Sequence, residues 1–316
     1  MAFGDLVAVI IWLGGIHLNG FLLLIEVYWG VYLGHPYGLA AIVLHLTLSF
    51  FPTLSDNTPA WASLLAGILV RRVQNYFPVS MEVEDERVFS GDRPYLIGLE
   101  PHSVLPLGMV AFAENGSVIP KHLDKSGSRG AFATNAIFSS AFVRHLWTWL
   151  GVRSASKSSM TRYLKEGKCC ILVPGGVQEC LTMEHNVETL FLKKRTGFVK
   201  LALTHGAPIV PAFAFGQCNT FGWLRPGPPV VPTGFVRSFS RFIGFAPLLF
   251  GGRWGSVAPY QTPMLVVVGK PIEVPLVAEP TKEQTQLYLA KYIEAMEALF
   301  HEHKHKVPTI QALKIL

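Results

Sequence analysis

Short apolar runs alternate with helical segments over most of this chain, and no other feature constrains its fold as strongly. Each run is rich in residues suited to strands that are buried on both faces. The runs are Tyr95–Leu99, Ala131–Thr134, Cys169–Val173, Pro208–Phe215 and Met264–Val268. Because strands that alternate with helices form βαβ units, the sequence predicts an α/β fold with a mostly parallel sheet and crossover helices.

Helical periodicity fills the gaps between these strands. The predicted helices are Ser103–Ala113, Ile137–Leu150, Ser156–Glu166, Gly197–His205, a short connector helix Ala60–Val70 and a last helix that begins after Thr281. Ser156 is the predicted N-cap of its helix. Thr281 and Gln284 have the spacing of a capping box, in which each side chain bonds the other's backbone. We interpret the last helix as a packing helix.

Two long apolar segments, Leu6–Tyr28 and Val31–Phe51, precede the α/β region. Each reaches the length of about 20 residues that a helix needs to cross a bilayer. The first basic residue after them is Arg71, so both ends of the hairpin are predicted to face the cytosol. Polar residues interrupt both segments, which leaves a transmembrane and a re-entrant hairpin open. We divide the chain into a hairpin at 1–55 and a cytosol-facing α/β domain at 56–316.

The charge balance points to a membrane and to an anionic partner. Charged residues make up 15% of the chain, whereas soluble domains carry about 25%. The net charge of +6 suits anionic membrane lipids or a polyanionic co-substrate. No dense basic cluster is interleaved with aromatic residues outside the apolar context, so no nucleic-acid partner is expected.

The cysteines and the known catalytic motifs exclude several chemistries. Cys169, Cys170, Cys180 and Cys218 lack zinc-ligand spacing, so we expect free thiols in a reducing compartment and no metal or resident cofactor. The sequence contains no G-x-S-x-G, H-E-x-x-H, P-loop or G-x-G-x-x-G pattern. Serine hydrolases of the α/β type, zinc proteases and nucleotide-binding enzymes of these classes are therefore disfavoured.

The stretch 221–259 interrupts the alternation of strands and helices, since it is rich in glycine, proline and aromatic residues. Its aromatic and basic residues include Phe235, Phe239, Phe242, Arg237 and Arg241. The three phenylalanines share one helical face, which favours a helix that lies in the bilayer interface. A packed core segment is the alternative.

His102 is the leading catalytic candidate. It follows Glu100-Pro101 at the carboxyl end of a predicted strand, where ligands bind in α/β proteins. The helix predicted to follow disfavours imidazolium through its dipole, so we expect a neutral ring that accepts a proton. We interpret Ser103 as the cap of that helix.

A second strand-end loop contains Gly175-Gly176 and Glu179. It lies on the same predicted sheet edge as His102. The glycine N–H groups can approach an oxyanion or a phosphate closely. Glu179 is our candidate for orienting the imidazole of His102, with Glu100 as the second candidate.

Basic residues gather before the helix that Gly197 begins. Arg195 and Lys200 can add positive charge to the anion preference of a helix N-terminus, which suits a substrate phosphate such as those of coenzyme A. For Lys193 and Lys194, a solvated charged face is the alternative interpretation.

Five ordered sequence blocks resemble the type-2 diacylglycerol acyltransferase family, which includes monoacylglycerol and wax-alcohol acyltransferases. The blocks are E-P-H-S-V-L-P (Glu100–Pro106), P-G-G-V-Q-E (Pro174–Glu179), R-x-G-F-x-K-x-A (Arg195–Ala202), G-x-P-I-V-P-x-F-x-F-G-Q (Gly206–Gln217) and V-G-K-P-I-E-V (Val268–Val274). The Glu-Pro-His-Ser form is similar to plant and algal members.

This resemblance implies an enzyme that transfers an acyl group from acyl-CoA to diacylglycerol and so makes triacylglycerol. It implies a location in the endoplasmic reticulum membrane, with the lipid droplet surface as a further site. The implied substrate contacts include Pro101, Ser103, Gly175, Gly176, Gln178, Arg195 and Lys200. A homo-oligomer, the acyl-chain preference and the depth of the hairpin stay open.

The chain departs from the more distant glycerolipid acyltransferases at two positions. Their H-x-x-x-x-D motif would place a carboxylate where this chain has Leu107, so the partner of His102 is not identified by that motif. Their phosphate-reading arginine aligns with Gln178. A site that lacks this arginine should prefer an uncharged acceptor.

Phe21, Leu22 and Leu24 match F-L-x-L, a pattern that the family links to neutral lipids. The match is weak, because such spacing arises easily inside an apolar segment.

Two alternative functions follow from these features. A monoacylglycerol or fatty-alcohol acyltransferase would use the same residues on another acceptor. A catalytically silent lipid-binding or droplet-organising membrane protein would explain the missing motif carboxylate.

Overall fold

A computed structural model describes residues 2–50, 58–113, 129–138, 140–141, 143–227 and 231–316. The predicted end of the second apolar segment, Phe51, and the predicted boundary between residues 55 and 56 lie outside these ranges. The strands are β1 (Val79–Val83), β2 (Leu96–Glu100), β3 (Arg129–Ala133), β4 (Val152–Ser154), β5 (Cys169–Leu172), β6 (Glu188–Leu190), β7 (Ile209–Phe215), β8 (Gly222–Leu224), β9 (Leu249–Gly251), β10 (Met264–Val268) and β11 (Leu313–Ile315). The α-helices are α1 (Phe3–Val27), α2 (Pro36–Phe50), α3 (Ala60–Tyr76), α4 (Asn135–Phe138), α5 (Val143–Trp149), α6 (Lys157–Lys165), α7 (Val177–Cys180), α8 (Gly197–His205), α9 (Thr233–Ile243) and α10 (Lys282–His303).

Seven strands form one central sheet in the order β1-β10-β7-β2-β5-β3-β4. Every neighbouring pair is parallel except β10 with β7. The predicted mostly parallel sheet is thus confirmed. The strands β2, β5 and β7 lie side by side and point the same way, so the loops that follow them emerge at one edge.

Helices cover both faces of the sheet. One core contains residues of α1 and α3 together with alternate side chains of the sheet. The other core contains residues of α8 and α10. The capping box of Thr281 and Gln284 is present at the start of α10, and Ser156 caps α6 as predicted. The side-chain hydrogen bonds that were predicted at the starts of these two helices are therefore confirmed.

The fully buried Tyr292 fixes α10 to the centre of the sheet. Its hydroxyl donates to the carbonyl oxygen of Gly98 at 3.1 Å. A Cβ atom at position 98 would overlap this hydroxyl and lie 2.9 Å from the ring carbon that bears it. Glycine is therefore required there for helix and strand to approach.

The first half of α1 packs on the α/β domain. Val9 and Leu13 are buried in the same core as Val70 and Val73 of α3. Further along the hairpin, the His45 ring in α2 contacts the Glu26 carboxylate at 3.0 Å and Asn19 at 3.1 Å. Three of the polar residues in the two apolar segments thus pair with one another between α1 and α2.

Among the described residues, no single helix is both long and apolar enough to cross a membrane. A bent pair, Phe3–Gly15 with Leu18–Tyr32, meets that test by length and composition at a bend of 47°. Gly34, between α1 and α2, has a left-handed backbone. The hairpin's depth in a membrane stays a prediction.

Three predicted elements differ from the structure. The helix predicted at Ser103–Ala113 is wrong: Ser103 has φ +55°, and only the tighter 3-10 helix Leu107–Phe112 forms. The helix predicted at Ile137–Leu150 is divided between α4 and α5, with residues 139 and 142 outside the described ranges. The helix predicted at Ala60–Val70 continues to Tyr76.

Replacing Gly98 with alanine tests the contact between α10 and the sheet. The added Cβ overlaps the Tyr292 hydroxyl, so we expect the free energy of unfolding to fall by about 1–3 kcal/mol, measured as a lower thermal midpoint in detergent. Gly234→Ala is the matched control, because nothing lies within 4 Å of that position. Adding Tyr292→Phe should recover part of the loss. An unchanged midpoint for Gly98→Ala would contradict this account.

Candidate active site

The loops after β2 and β5 meet at one edge of the sheet, as the sequence predicted. The Gly175 N–H donates to the Glu100 carboxyl at 2.8 Å. This bond joins the last residue of β2 to the loop after β5. His102 and Gly176 consequently line the same cavity.

Glu179 binds the main chain around His102 and does not bind its ring. One carboxylate oxygen accepts the backbone N–H of His102, and the other accepts the backbone N–H of Phe191 at 3.0 Å. The expectation that Glu179 orients the imidazole directly is therefore wrong. Glu179 instead holds the peptide that carries the imidazole.

Glu100 and Glu179 form a fully buried carboxyl pair. Burial, and then the charge of Glu179, raise the pKa of Glu100 well above its ordinary value. Burial raises the pKa of Glu179 to about 7, against the lowering effect of its N–H donors. Because Glu179 accepts two backbone N–H groups and Glu100 accepts one, we assign a proton to Glu100 and the negative charge to Glu179. Glu100 thus also holds the loop after β5, and no described hydrogen bond joins it to the imidazole.

The His102 ring is oriented by a carbonyl group and a thiol. Its Nδ1 lies 3.1 Å from the Ser103 carbonyl oxygen and 3.1 Å from the Cys180 sulfur. A carbonyl oxygen only accepts, so Nδ1 carries the proton and Nε2 has a free lone pair. No described residue hydrogen-bonds Nε2, and the ring lines the cavity.

Burial keeps His102 neutral. Desolvation lowers the pKa of the imidazole, and the nearby Arg195 acts in the same direction. The predicted neutral state agrees with this shift, but the predicted cause does not, since no α-helix begins at Ser103. Burial also raises the pKa of the Cys180 thiol, which keeps it a hydrogen-bond donor to the Ser103 carbonyl oxygen at 3.1 Å.

The two glycines of the second loop have different surroundings. Gly175 has no space for a side chain, because the Glu179 carboxylate packs against it, and its N–H is already bonded to Glu100. Gly176 has φ +57° and precedes α7. Its N–H donates to no described residue. Gly176 is therefore the oxyanion candidate, and the prediction for Gly175 is wrong.

Arg195 lies half-buried beside this loop. Its guanidinium donates to the Gly175 carbonyl oxygen and lies 5.2 Å from the centre of the Phe191 ring. Burial lowers the pKa of Arg195, whereas Glu100 and Glu179 act to raise it. The Nε atom has no described partner, and the side chain lines the cavity.

The cavity beside His102 has a volume of about 760 Å³ and is predominantly apolar. It extends from His102 to Trp12 and Leu13 of α1 and to Val70 of α3. Among its described lining residues, only Lys194 and Arg195 carry a formal charge at neutral pH. A cavity of this kind accepts long hydrocarbon chains and offers positive charge at one place.

Other residues predicted to bind substrate lie elsewhere. Pro101 and Ser103 line a second cavity of about 300 Å³, which His102 does not line. Gln178 is half-buried and lines neither cavity. Its position therefore does not support the preference for an uncharged acceptor that was predicted from this residue. Lys200 is exposed on α8 and lines neither cavity.

The weak neutral-lipid motif lies in the second half of α1. Phe21 and Leu24 are largely exposed, and Leu22 is half-buried. None of the three lines the cavity beside His102, so their role stays a prediction.

Gln217 is a positioning residue that the sequence reasoning missed. It follows β7 and is fully buried. Its amide nitrogen donates to the Pro101 carbonyl oxygen at 2.6 Å, and its amide oxygen accepts the Gly108 N–H at 2.6 Å. It thereby ties both ends of the loop that carries His102. Gln217 belongs to one of the five family blocks. Only its position directly after β7 indicates that it contributes to the site.

The described residues include one group with the spacing of metal ligands. Glu84, Glu302 and His303 each offer a ligand atom within 4.8 Å of the others. Glu84 follows β1, which runs antiparallel to β2. The group therefore lies away from the edge that carries His102.

The chain was compared with known proteins. Residues 34–315 match the family model described as diacylglycerol acyltransferase. Diacylglycerol O-acyltransferase 2 of Mus musculus is 32% identical over 78% of this chain, which spans 66% of that relative's length. Acyl-CoA wax alcohol acyltransferase 2 of Mus musculus is 32% identical over 75% of this chain and 73% of its own length.

A solved structure also aligns with the chain. The 1-acyl-sn-glycerophosphate acyltransferase PlsC of Thermotoga maritima covers 91% of this chain and 98% of its own, at 15% identity and a TM-score of 0.44. The family assignment rests on the sequence matches. Because the family model covers most of its length, this chain belongs to the diacylglycerol acyltransferase family.

Proposed function

We propose that this protein transfers an acyl group from acyl-CoA to the free hydroxyl of diacylglycerol. The observation that carries the proposal is the neutral His102, whose Nδ1 is bonded to the Ser103 carbonyl oxygen while the ring lines the long apolar cavity. Family membership supports the choice of acyl transfer over mere lipid binding.

In the proposed mechanism, His102 Nε2 takes the proton of the acceptor hydroxyl as that oxygen attacks the thioester carbonyl. The Gly176 N–H stabilises the oxyanion of the tetrahedral intermediate. Collapse of the intermediate expels coenzyme A thiolate, which recovers the proton from His102. The step needs no acyl-enzyme, metal or resident cofactor.

The remaining charged groups position the substrate and the loop. Lys194 and Arg195 are the charged residues at the cavity, so we assign to them the phosphates of coenzyme A. Glu179 acts indirectly, because its carboxylate accepts the backbone N–H of His102 and so positions that residue. We place the protein in the endoplasmic reticulum membrane with the catalytic domain facing the cytosol, since the first basic residues follow α2.

Removal of His102 tests the chemistry directly. His102→Ala should lower turnover of labelled acyl-CoA with diacylglycerol by about 10²–10⁴-fold, the range of general-base contributions. His205→Ala is the matched control, because that ring bonds its own helix at Leu201. Retained turnover in His102→Ala, at equal amounts of folded protein, would remove the catalytic assignment.

The Glu179 carboxylate should shape the pH dependence of kcat/KM. Its pKa is about 7, whereas the pKa of His102 lies below its ordinary value, so activity should fall in two steps as pH decreases. Glu179→Gln should lower kcat and remove the step near neutral pH, leaving the more acidic one. An unchanged profile in Glu179→Gln would contradict the positioning role.

Glu188→Gln is the matched control for this experiment. Burial raises the pKa of Glu188 to about 7 as well, but its carboxylate contacts the Cys218 thiol at 2.6 Å. Both steps of the profile should therefore persist in that variant.

The apolar cavity predicts a neutral acceptor. In a side-by-side panel, diacylglycerol should be used at least as well as monoacylglycerol or a fatty alcohol, and lysophosphatidate should be a poor acceptor. The phosphate of lysophosphatidate would have to enter an apolar cavity or compete with coenzyme A for Lys194 and Arg195. Efficient use of lysophosphatidate would overturn the assignment of acceptor class. Preference for a fatty alcohol would favour the wax-alcohol alternative, which the relative from Mus musculus supports.

A further inference from the structure

Helix α9 turns three phenylalanine side chains away from the protein. Phe235, Phe239 and Phe242 are 63%, 42% and 89% exposed. Their spacing of four and three residues places them on one face of the helix. Val236 and Ser240 are buried and form the face that packs on the protein. An aromatic cluster left exposed in this way marks an interaction surface.

The charges on α9 favour a membrane as the partner. Arg237 and Arg241 are exposed on a third face, and no acidic residue occurs between Thr233 and Ile243. A basic helix with a separate aromatic face is the form that lies in a bilayer interface and binds anionic lipids. A symmetric contact between two copies would bring four arginines together without a counter-charge, which disfavours that occupant.

The end of α9 leads directly to the cavity. Gly244 ends the helix with φ +73°, and a Cβ there would lie 2.8 Å from the Ala136 side chain of α4. The chain therefore turns tightly against α4. The next residues, Phe245, Ala246 and Leu248, line the apolar cavity beside His102.

We propose that α9 lies in the headgroup layer of an anionic bilayer with its phenylalanine face toward the hydrocarbon. The segment Phe245–Phe250 then forms a rim through which a lipid acceptor passes from the bilayer into the cavity. The identity of that acceptor rests on the proposed function, but the docking of α9 does not.

The depth of α9 can be measured in the full-length chain. A Phe242→Cys variant carrying a polarity-sensitive fluorophore is reconstituted in phosphatidylcholine vesicles containing phosphatidylserine. Leu287→Cys on α10, at a side chain that is 54% exposed, is the matched control, and labelled wild type gives the background of the native cysteines. We expect spin-labelled lipid to quench the fluorophore at position 242, and aqueous iodide to quench it at position 287.

Two outcomes would overturn the docking of α9. Quenching of position 242 by iodide alone would place the helix in water. Protection of position 242 from both quenchers would place it against protein, as in a contact between two copies.

Kinetics test the role of the rim. The triple change Phe235→Ser, Phe239→Ser and Phe242→Ser removes the aromatic face without touching the cavity. We expect the apparent KM for long-chain diacylglycerol presented in vesicles to rise about tenfold, with kcat on a water-dispersed short-chain diacylglycerol unchanged. The control, Val88→Ser with Leu276→Ser and Leu287→Ser, changes three other exposed side chains and should alter neither value.

The two proposals fail in different ways. If the triple variant lost activity equally on both acceptors, or on neither, the proposed role of the rim would be overturned. Failure of the proposed function would appear instead as retained turnover in His102→Ala, and it would leave the quenching result at position 242 intact.

Discussion

The buried carboxylate of Glu179 is the interaction on which the site depends. It accepts the backbone N–H groups of His102 and Phe191, and its charge adds to the effect of burial in raising the pKa of Glu100 at the end of β2. Burying this charge is costly unless donors surround it. The two donors follow β2 and β6, and Glu179 itself follows β5, so the carboxylate stabilises one arrangement of these three segments. Gln217, at the end of β7, forms two further hydrogen bonds with the loop that carries His102.

This arrangement decides what His102 can do. The Ser103 carbonyl oxygen and the Cys180 thiol hold Nδ1, which leaves Nε2 available at the wall of an apolar cavity. Burial favours the neutral ring, so a base is ready without a carboxylate partner on the imidazole. The cavity reaches α1 and α3 on one side and the segment after α9 on another. The same edge of the sheet thus connects the proposed chemistry to the surfaces proposed to meet the bilayer.

The sequence predicted the features that depend on local pattern. Buried strands such as Cys169–Val173 and the caps at Ser156 and Thr281 follow from periodicity and hydrogen bonding between near neighbours. The meeting of His102 with Gly176 followed from the rule that parallel strands end at one edge. The role of Glu179 could not be predicted in this way, because a carboxylate can bind a ring or a backbone N–H and only the three-dimensional fold decides which. The left-handed backbone of Ser103 could not be predicted either, because a serine gives no local signal for that conformation, as a glycine would.

The central claim is that His102 is neutral, with its proton on Nδ1 and a free Nε2 toward the cavity. Nitrogen NMR of the full-length protein labelled at histidine measures this directly, with His102→Gln used to assign the resonance. At neutral pH the account predicts a protonated Nδ1 and an unprotonated Nε2 for His102. An imidazolium, or the tautomer with its proton on Nε2, would contradict it.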